Sequence, residues 1–338
     1  MPLNQQILLD NRPTGEATVS NFKLVSSATP ALQEGQVLVQ HHFLSLDPYM
    51  RGRMNDARSY AQPQALGEVM QGGTAGVVVE SKNPKFHVGA KVVGMGGWQQ
   101  YSVVDANQSG ALRKVDIAHV PLSACLGVVG MPGVTAWYGL MKICEPKAGE
   151  TVVVSAASGA VGSVVGQLAK ARGCRAVGLA GGPDKCRHVV EELGFDACVD
   201  YKAFPDAKSL YMALKEATPD GVDCYFENVG GMILDTVLSR MNAFGRIAVC
   251  GMIAGYNGAP LPLTQPALIL MSRLKVQGFI VSEHMEFWPE ALTELGTRVA
   301  SGKLKYRESV ALGLASAPEA FIGLLMGRNF GKQVVKLI

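Results

Sequence analysis

The rhythm of apolar and polar positions changes near residue 121. Before that point short runs alternate: residues 36–43 set Val37, Val39 and His41 against outward partners, and residues 74–80, 91–94 and 98–103 are further short runs rich in β-branched residues. Glycines at 35, 72, 73, 89, 96 and 97 punctuate them, a spacing that predicts a compact, barrel-like β domain. Beyond residue 121 short continuous apolar runs alternate with helical stretches. Residues 152–154, 175–179, 197–200, 222–228, 246–249 and 274–280 read as strands, and 184–193 as a helix. Six such strands predict a doubly wound parallel sheet covered on both faces. Residues 286–301 and 317–328 read as helices and 331–338 as a last strand returning to the first domain, so the parallel-sheet fold is an insertion. The expected divisions are 1–125, 126–300 and 301–338.

A chain of 338 residues is comfortable for two cores. It is 48% hydrophobic and 17% charged, with a net charge of +3 and no basic run, so the composition points away from nucleic acid. Residues 121–141 and 247–271 hold no charge, but Pro132, Gly133, Pro260, Pro262 and Pro266 interrupt them. They read as buried loops and strands, not as membrane spans. The first residues lack a basic region followed by an apolar one, which excludes a secretory signal and makes the cytoplasm the expectation. The seven cysteines form no C-x-x-C, which argues against a disulfide framework and a structural zinc lobe; they read as small buried side chains. His41 and His42 are neighbours on a strand, point to opposite faces and so make no metal pair.

The chemistry centres on TVVVSAASGAVGSVVGQLA, residues 151–169, a buried strand running through a glycine turn into a helix. Gly159 and Gly162 fall where the backbone must approach a pyrophosphate at a helix N-terminus, although Ala157 replaces the first fingerprint glycine. An NAD site places a carboxylate about twenty residues past that turn. Here the next strand ends in Ala180, Gly181 and Gly182, followed by Lys185 and Arg187. A cation at this corner neutralises a 2′-phosphate, Tyr201 is placed to pack the adenosine side, and together they favour NADPH.

Five blocks, LDPYMRGRM (46–54), GMPGVTAWYGL (130–140), AASGAVGSVVGQLAK (156–170), FENVGG (226–231) and GRNFGKQVVK (327–336), resemble the zinc-independent medium-chain dehydrogenase/reductases. The branch they resemble holds the prostaglandin, plant alkenal and bacterial curcumin reductases. The resemblance spans essentially the whole chain. It implies an α/β protein with a GroES-like β-rich catalytic domain and a Rossmann domain, using NADPH to reduce a double bond conjugated to a carbonyl. By position it implies that Gly159, Ala160, Val161 and Gly162 form the pyrophosphate turn, with Lys185 and Tyr201 at the 2′-phosphate. Asn228, the segment Cys250, Gly251, Met252, Ile253, Ala254, Gly255 and Tyr256, then Phe279, Ile280, Val281 and Asn329 would meet the cofactor. Tyr256 is the candidate donor to the enolate oxygen, and Tyr49, Met131 and Thr135 are candidate substrate residues.

The zinc enzymes of the wider superfamily need a cysteine and a Gly-His-Glu histidine. Here Ser45, Leu46 and Asp47 stand at the first place and Leu66, Gly67 and Glu68 at the second, so no metal is expected. A homodimer is the expected assembly, with a small molecule as the partner. A quinone reductase of the same fold and a non-catalytic NADPH-binding protein are the alternative readings.

Overall fold

In chain order the first strands are β1 (Leu3–Leu9), β2 (Phe22–Ala28), β3 (Gln36–Ser45), β4 (Thr74–Ser81), β5 (Lys91–Gly94), β6 (Tyr101–Asp105) and β7 (Leu112–Lys114), with one short helix, α1 (Tyr49–Arg53). Alternation follows through α2 (Met131–Tyr138), β8 (Thr151–Ser155), α3 (Gly162–Ala171), β9 (Arg175–Ala180), α4 (Pro183–Glu191), β10 (Ala197–Asp200) and α5 (Ala207–Ala217). It continues with β11 (Val222–Glu227), α6 (Gly231–Leu238), β12 (Met241–Val249), α7 (Ala267–Met271), β13 (Lys275–Gly278) and α8 (Trp288–Ala300). β14 (Glu308–Leu312), α9 (Ala317–Leu325) and β15 (Lys332–Lys336) close the chain. The computed structural model describes residues 2–258 and 260–338. Two units emerge: Met1–Gly127 with Glu308–Ile338, and Val128–Arg307.

In the first unit the sheet runs β14-β15-β3-β4-β5-β7, with β6 also on β3, while β1 and β2 pair with each other. Its core gathers Leu44, Leu46, Met50, Met54, Met70 and Trp98 around Phe321 and Val335 from the returning segment. Trp98 stacks on Phe22 at 5.3 Å and meets the edge of Phe321 at 5.6 Å. Residues far apart in sequence therefore close one core. The expected strand at 98–103 lies instead at Tyr101–Asp105, because Trp98 is drawn wholly inside and pairing with β3 starts at Tyr101.

Two polar groups inside this unit have consequences for stability and chemistry. Lys332 Nζ donates to Leu46 O at 2.6 Å and to Asp47 Oδ1 at 2.7 Å, and Ser45 Oγ donates to Asp47 Oδ2. Both partners of this ion pair are buried. His41 is 1% exposed and its Nε2 lies 2.9 Å from Ser102 Oγ. Burial, with the charge of His42 adding to it, holds its pKa down to about 3. The unfolded chain therefore takes up this proton first as pH falls, and stability is lost from about pH 6.5 downward at roughly 1.4 kcal/mol per unit until the folded value is reached. Between pH 7.5 and 5, His41 alone is expected to cost about 2 kcal/mol. Urea unfolding of the unmutated chain and of His41→Asn at the two pH values checks this; an equal loss in both removes His41 as the cause.

The second unit is the parallel sheet β10-β9-β8-β11-β12-β13, every neighbour pair parallel. In order of appearance this is 3-2-1-4-5-6, the doubly wound arrangement, and the order reverses between β8 and β11. Val152, Val153 and Val154 are fully buried, as a strand covered on both faces requires. The fold class expected from the sequence is the one observed. Residues 121–141 differ from their expectation as loops and strands: they contain a 3-10 turn at Leu122–Leu126 and α2, which runs on as a π-helix, Gly139–Cys144. Pro132 stands in the first turn of α2, where its missing N–H costs nothing. Gly139 is there because a Cβ would lie 2.5 Å from the Phe226 ring and 2.8 Å from that of Phe279. The strand expected to reach residue 280 ends at Gly278, and Phe279 turns to pack on Phe226 at 6.2 Å.

Candidate cofactor site and family membership

In an open parallel sheet the crevice for a ligand lies beyond the carboxyl ends of the strands at the reversal of order. Here those ends are Ser155 on β8 and Glu227 on β11, tied together by a buried network. Glu227 accepts hydrogen bonds from Ser155 Oγ at 3.0 Å, Tyr225 Oη at 2.6 Å, the N–H of Gly230 at 3.0 Å and the N–H of Val229. Burial raises its pKa, and the four donors pull against that rise. Asn228 donates its backbone N–H to Ser155 Oγ and its side-chain amide to Ser155 O, both at 2.8 Å. This fixes Asn228 at the mouth of the reversal.

The glycine turn leaves β8 beside this network. Its left-handed residue is Ala156, at φ 50°, whereas Ala157 is not left-handed, so the lost fingerprint glycine needs no special backbone. A Cβ on Gly162 would lie 2.4 Å from Ala156 O and one on Gly159 would lie 3.1 Å from the same atom. The turn therefore requires glycine at 162 and leaves little room for a side chain at 159. α3 starts at Gly162 after Val161, and among the described residues no side chain caps it. Gly159, Ala160, Val161 and Gly162 thus present an uncapped helix start at the strand ends, the arrangement that receives a pyrophosphate.

The next corner is built from β9, α4 and β10. A Cβ on Gly181 would lie 2.9 Å from both Tyr201 Oη and Lys202 Cε, so glycine leaves room for those two side-chain ends at the end of β9. Lys185 lies half-buried in the first turn of α4, and its pKa is lowered by burial and then by the charge of Lys202. An anion held there relieves both penalties. The carboxylate of Asp200 is engaged by the N–H groups of Gly182 at 2.7 Å and Lys202 at 3.0 Å. Arg187 faces away in an exposed pair with Asp184. Lys202 escaped the sequence reading, although it directly follows Tyr201 at a strand end. Glu227 escaped it too; a carboxylate closing the apolar run VDCYFE is the signal that finds it.

The loop after β12 completes this side. Cys250 N and Gly251 N donate to Glu227 O at 2.9 and 3.2 Å, Ile253 N to Asn228 O at 3.1 Å, and Ala254 N to Val229 O at 3.0 Å. Met252 sits between these anchors, Gly255 ends a single 3-10 turn, and Tyr256 follows it. The Tyr256 phenol folds back over the loop, its oxygen accepting from Met252 N–H at 3.4 Å. Burial and the Glu227 carboxylate push the Cys250 thiol up to about 12, so it stays protonated. Phe279 packs against Tyr138 at 5.5 Å, Ile280 leads into a 3-10 turn, and Val281 O accepts from Trp288 Nε1 at 3.2 Å. On α2 the buried Thr135 hydroxyl donates to Met131 O at 2.7 Å. Tyr49 and Asn329 belong to the other unit. Tyr49 starts α1 with its phenol pKa raised by burial and by Asp47, and Asn329 donates to Gly331 O at 2.8 Å.

A doubly wound sheet with a bare helix start beyond its strand ends defines a dinucleotide-binding protein. The comparisons agree. Residues 5–112 match the N-terminal domain of oxidoreductase and residues 160–297 the zinc-binding dehydrogenase model. The NADPH-dependent curcumin reductase of Escherichia coli (strain K12) is 45% identical, over 99% of this chain and 97% of that protein. The NADP(+)-dependent 2-alkenal reductase of Nicotiana tabacum is 44% identical, over 98% and 97%. The crystal structure of CurA from Vibrio vulnificus in complex with NADPH superposes with a TM-score of 0.92 at 44% identity, covering 99% of each chain. The chain belongs to the medium-chain dehydrogenase/reductase family, in the branch of NADP-dependent prostaglandin, alkenal and curcumin reductases.

The name of the matching dehydrogenase model implies zinc, and the donors present do not fit it. Asp47 is neutralised by the Lys332 ammonium and Ser45 donates to the same carboxylate. Among the described residues no group of three or more His, Cys, Asp or Glu is placed to hold a metal. No helix among them is long and apolar enough to cross a membrane.

Proposed function

We propose that this protein uses NADPH to reduce the carbon–carbon double bond of α,β-unsaturated ketones and aldehydes. The observation that carries the reading is Tyr256, a phenol on a glycine-flanked loop pinned by four backbone hydrogen bonds to the end of β11 at the reversal of the sheet. NADPH, when bound, supplies the hydride. Lys185 and Lys202 with Tyr201 hold the 2′-phosphate, and the 159–162 backbone holds the pyrophosphate. Asn228, residues 250–255 and residues 279–281 border the rest of the cofactor. As the β-carbon gains a hydride, negative charge gathers on the carbonyl oxygen, and the Tyr256 hydroxyl is the donor that stabilises it. Met131 and Thr135 are assigned to the substrate side; Tyr49 and Asn329 are assigned on the family resemblance alone. The names of the relatives, 2-alkenal reductase and curcumin reductase, support this chemistry. Loss of NADPH absorbance with enals, enones, quinones and saturated aldehydes, coupled to mass analysis of products, tests it. Saturated carbonyl products are expected, and turnover confined to quinones overturns the reading.

The same reading makes the enzyme independent of zinc. Dialysis against a strong chelator is expected to leave turnover unchanged, and activity that vanishes and returns with zinc overturns that expectation. A cytoplasmic homodimer completes the proposal. All seven cysteines are free thiols, as a reducing compartment requires. β13 is the outer strand of its sheet, and Phe244, Leu270, Met271 and Val276 are exposed, with Ser272 O holding Phe244 N at 2.7 Å. An unpaired strand edge with apolar neighbours is a pairing surface. Light scattering that returns the mass of one chain overturns the dimer.

A further inference from the structure

Cys186, on the first turns of α4, and Cys198, on β10, bring their sulfur atoms to 3.1 Å. A disulfide needs about 2.05 Å, so roughly one ångström of approach separates two thiols from a bond. Both residues are only half-buried, whereas Cys125, Cys144, Cys174 and Cys224 are enclosed. Their place in the chain adds to this. Cys186 directly follows Lys185, and Cys198 lies on the short strand that ends at Asp200, just before Tyr201 and Lys202. The two sulfurs thus join the two elements that carry the 2′-phosphate corner, just beneath it; a Cβ on Gly178 of β9 would lie 3.2 Å from Cys198 Sγ.

We propose that Cys186 and Cys198 are a redox-active dithiol that hydroperoxides close to a disulfide, and that closure weakens NADPH binding by drawing the first turn of α4 toward β10. The second half rests on the cofactor reading above; the first does not. The roles of the two sulfurs follow from their contact. Cys198 donates its S–H to Cys186, which lowers the pKa of Cys186 and raises that of Cys198, so Cys186 is assigned as the sulfur that attacks the peroxide. The Cys186 sulfur attacks one peroxide oxygen and the O–O bond breaks, giving Cys186 sulfenic acid and hydroxide, which takes up the proton released by the Cys186 thiol and leaves as water. The Cys198 sulfur then attacks the Cys186 sulfur, the S–O bond breaks, and the departing hydroxide takes the Cys198 proton as water. Two thiols lose two electrons and one hydrogen peroxide becomes two waters. Because Lys185 moves with Cys186, the lysine is displaced from the geometry in which it meets the phosphate. By reciprocity, bound NADPH makes the dithiol harder to oxidise.

The test uses the full reduced chain and hydrogen peroxide, with non-reducing peptide mapping and NADPH affinity measured by fluorescence titration. One bond linking Cys186 to Cys198 is expected, a rise in the NADPH Kd of about fivefold or more, and recovery of both on treatment with dithiothreitol. Cys198→Ser, reduced, is expected to bind NADPH as the unmutated chain does and, oxidised, to stop at Cys186 sulfenic acid without a reversible disulfide. Peroxide that leaves both thiols free, or carries Cys186 to sulfinic acid with no link formed, overturns the dithiol. A disulfide formed with no change in NADPH Kd overturns the coupling. A reduced chain that binds no NADPH at any concentration overturns the cofactor reading and the coupling with it, while the peptide map still decides the disulfide.

Discussion

Tyr256→Phe is expected to lower kcat by about 10²–10³ if the phenol is the principal stabiliser of the developing enolate. The carbonyl oxygen carries more negative charge in the transition state than in the bound substrate, so the lost hydrogen bond acts on rate more than on binding. The substitution keeps the ring and with it the shape of the loop, and it removes the long 3.4 Å bond from Met252 N–H. NADPH affinity is therefore expected to stay within about a factor of two, since a weak, part-exposed bond contributes well under 1 kcal/mol. Single-turnover hydride transfer is the measurement. A rate equal to that of the unmutated enzyme assigns the donor elsewhere and leaves Tyr256 as a wall of the pocket.

Removing Lys185 is expected to cost the preference for NADPH over NADH about 1–3 kcal/mol, the strength of a charge-assisted contact. Lys185→Ala and Lys202→Ala are each expected to reduce it, and the double substitution to lose less than the sum. The two ammonium groups repel one another without the phosphate, so deleting one relieves the other. The ratio of kcat/KM for the two cofactors across the four proteins checks this. Equal use of NADPH and NADH by the unmutated chain refutes it outright.

The features legible in the sequence were those made by residues close together in it. Val152 to Val154, fully buried, show their apolar run directly, and Gly181, Gly182 and Lys185 stand within five residues of each other. What escaped depends on neighbours the sheet supplies. Lys202 meets Gly181 because β10 lies beside β9, and Ser155 meets Glu227, 72 residues on, because β8 lies beside β11. α2 was read through because it is apolar on every side and shows no amphipathic face, and its Pro132 and Gly133 look like breaks. β14 escaped for the opposite reason: as an outer strand it leaves Val310 and Leu312 exposed and shows no buried face. The helix expected from 286 begins at Trp288, where Pro289 suits its first turn.

The buried pair of Lys332 and Asp47 bears on how such a chain is able to change its chemistry over generations. Exchanging Asp47 for cysteine removes the carboxylate that pairs with the buried Lys332 ammonium and leaves Leu46 O as its remaining hydrogen-bond acceptor among those described. Breaking one side of a buried ion pair costs about 3–5 kcal/mol, a large share of the roughly 5–15 kcal/mol that holds a typical protein folded. A chain that takes that step alone gives up much of its stability before any metal adds to it. The lysine and the aspartate, 285 positions apart, are thereby coupled: removing either alone leaves the other's charge uncompensated in the interior.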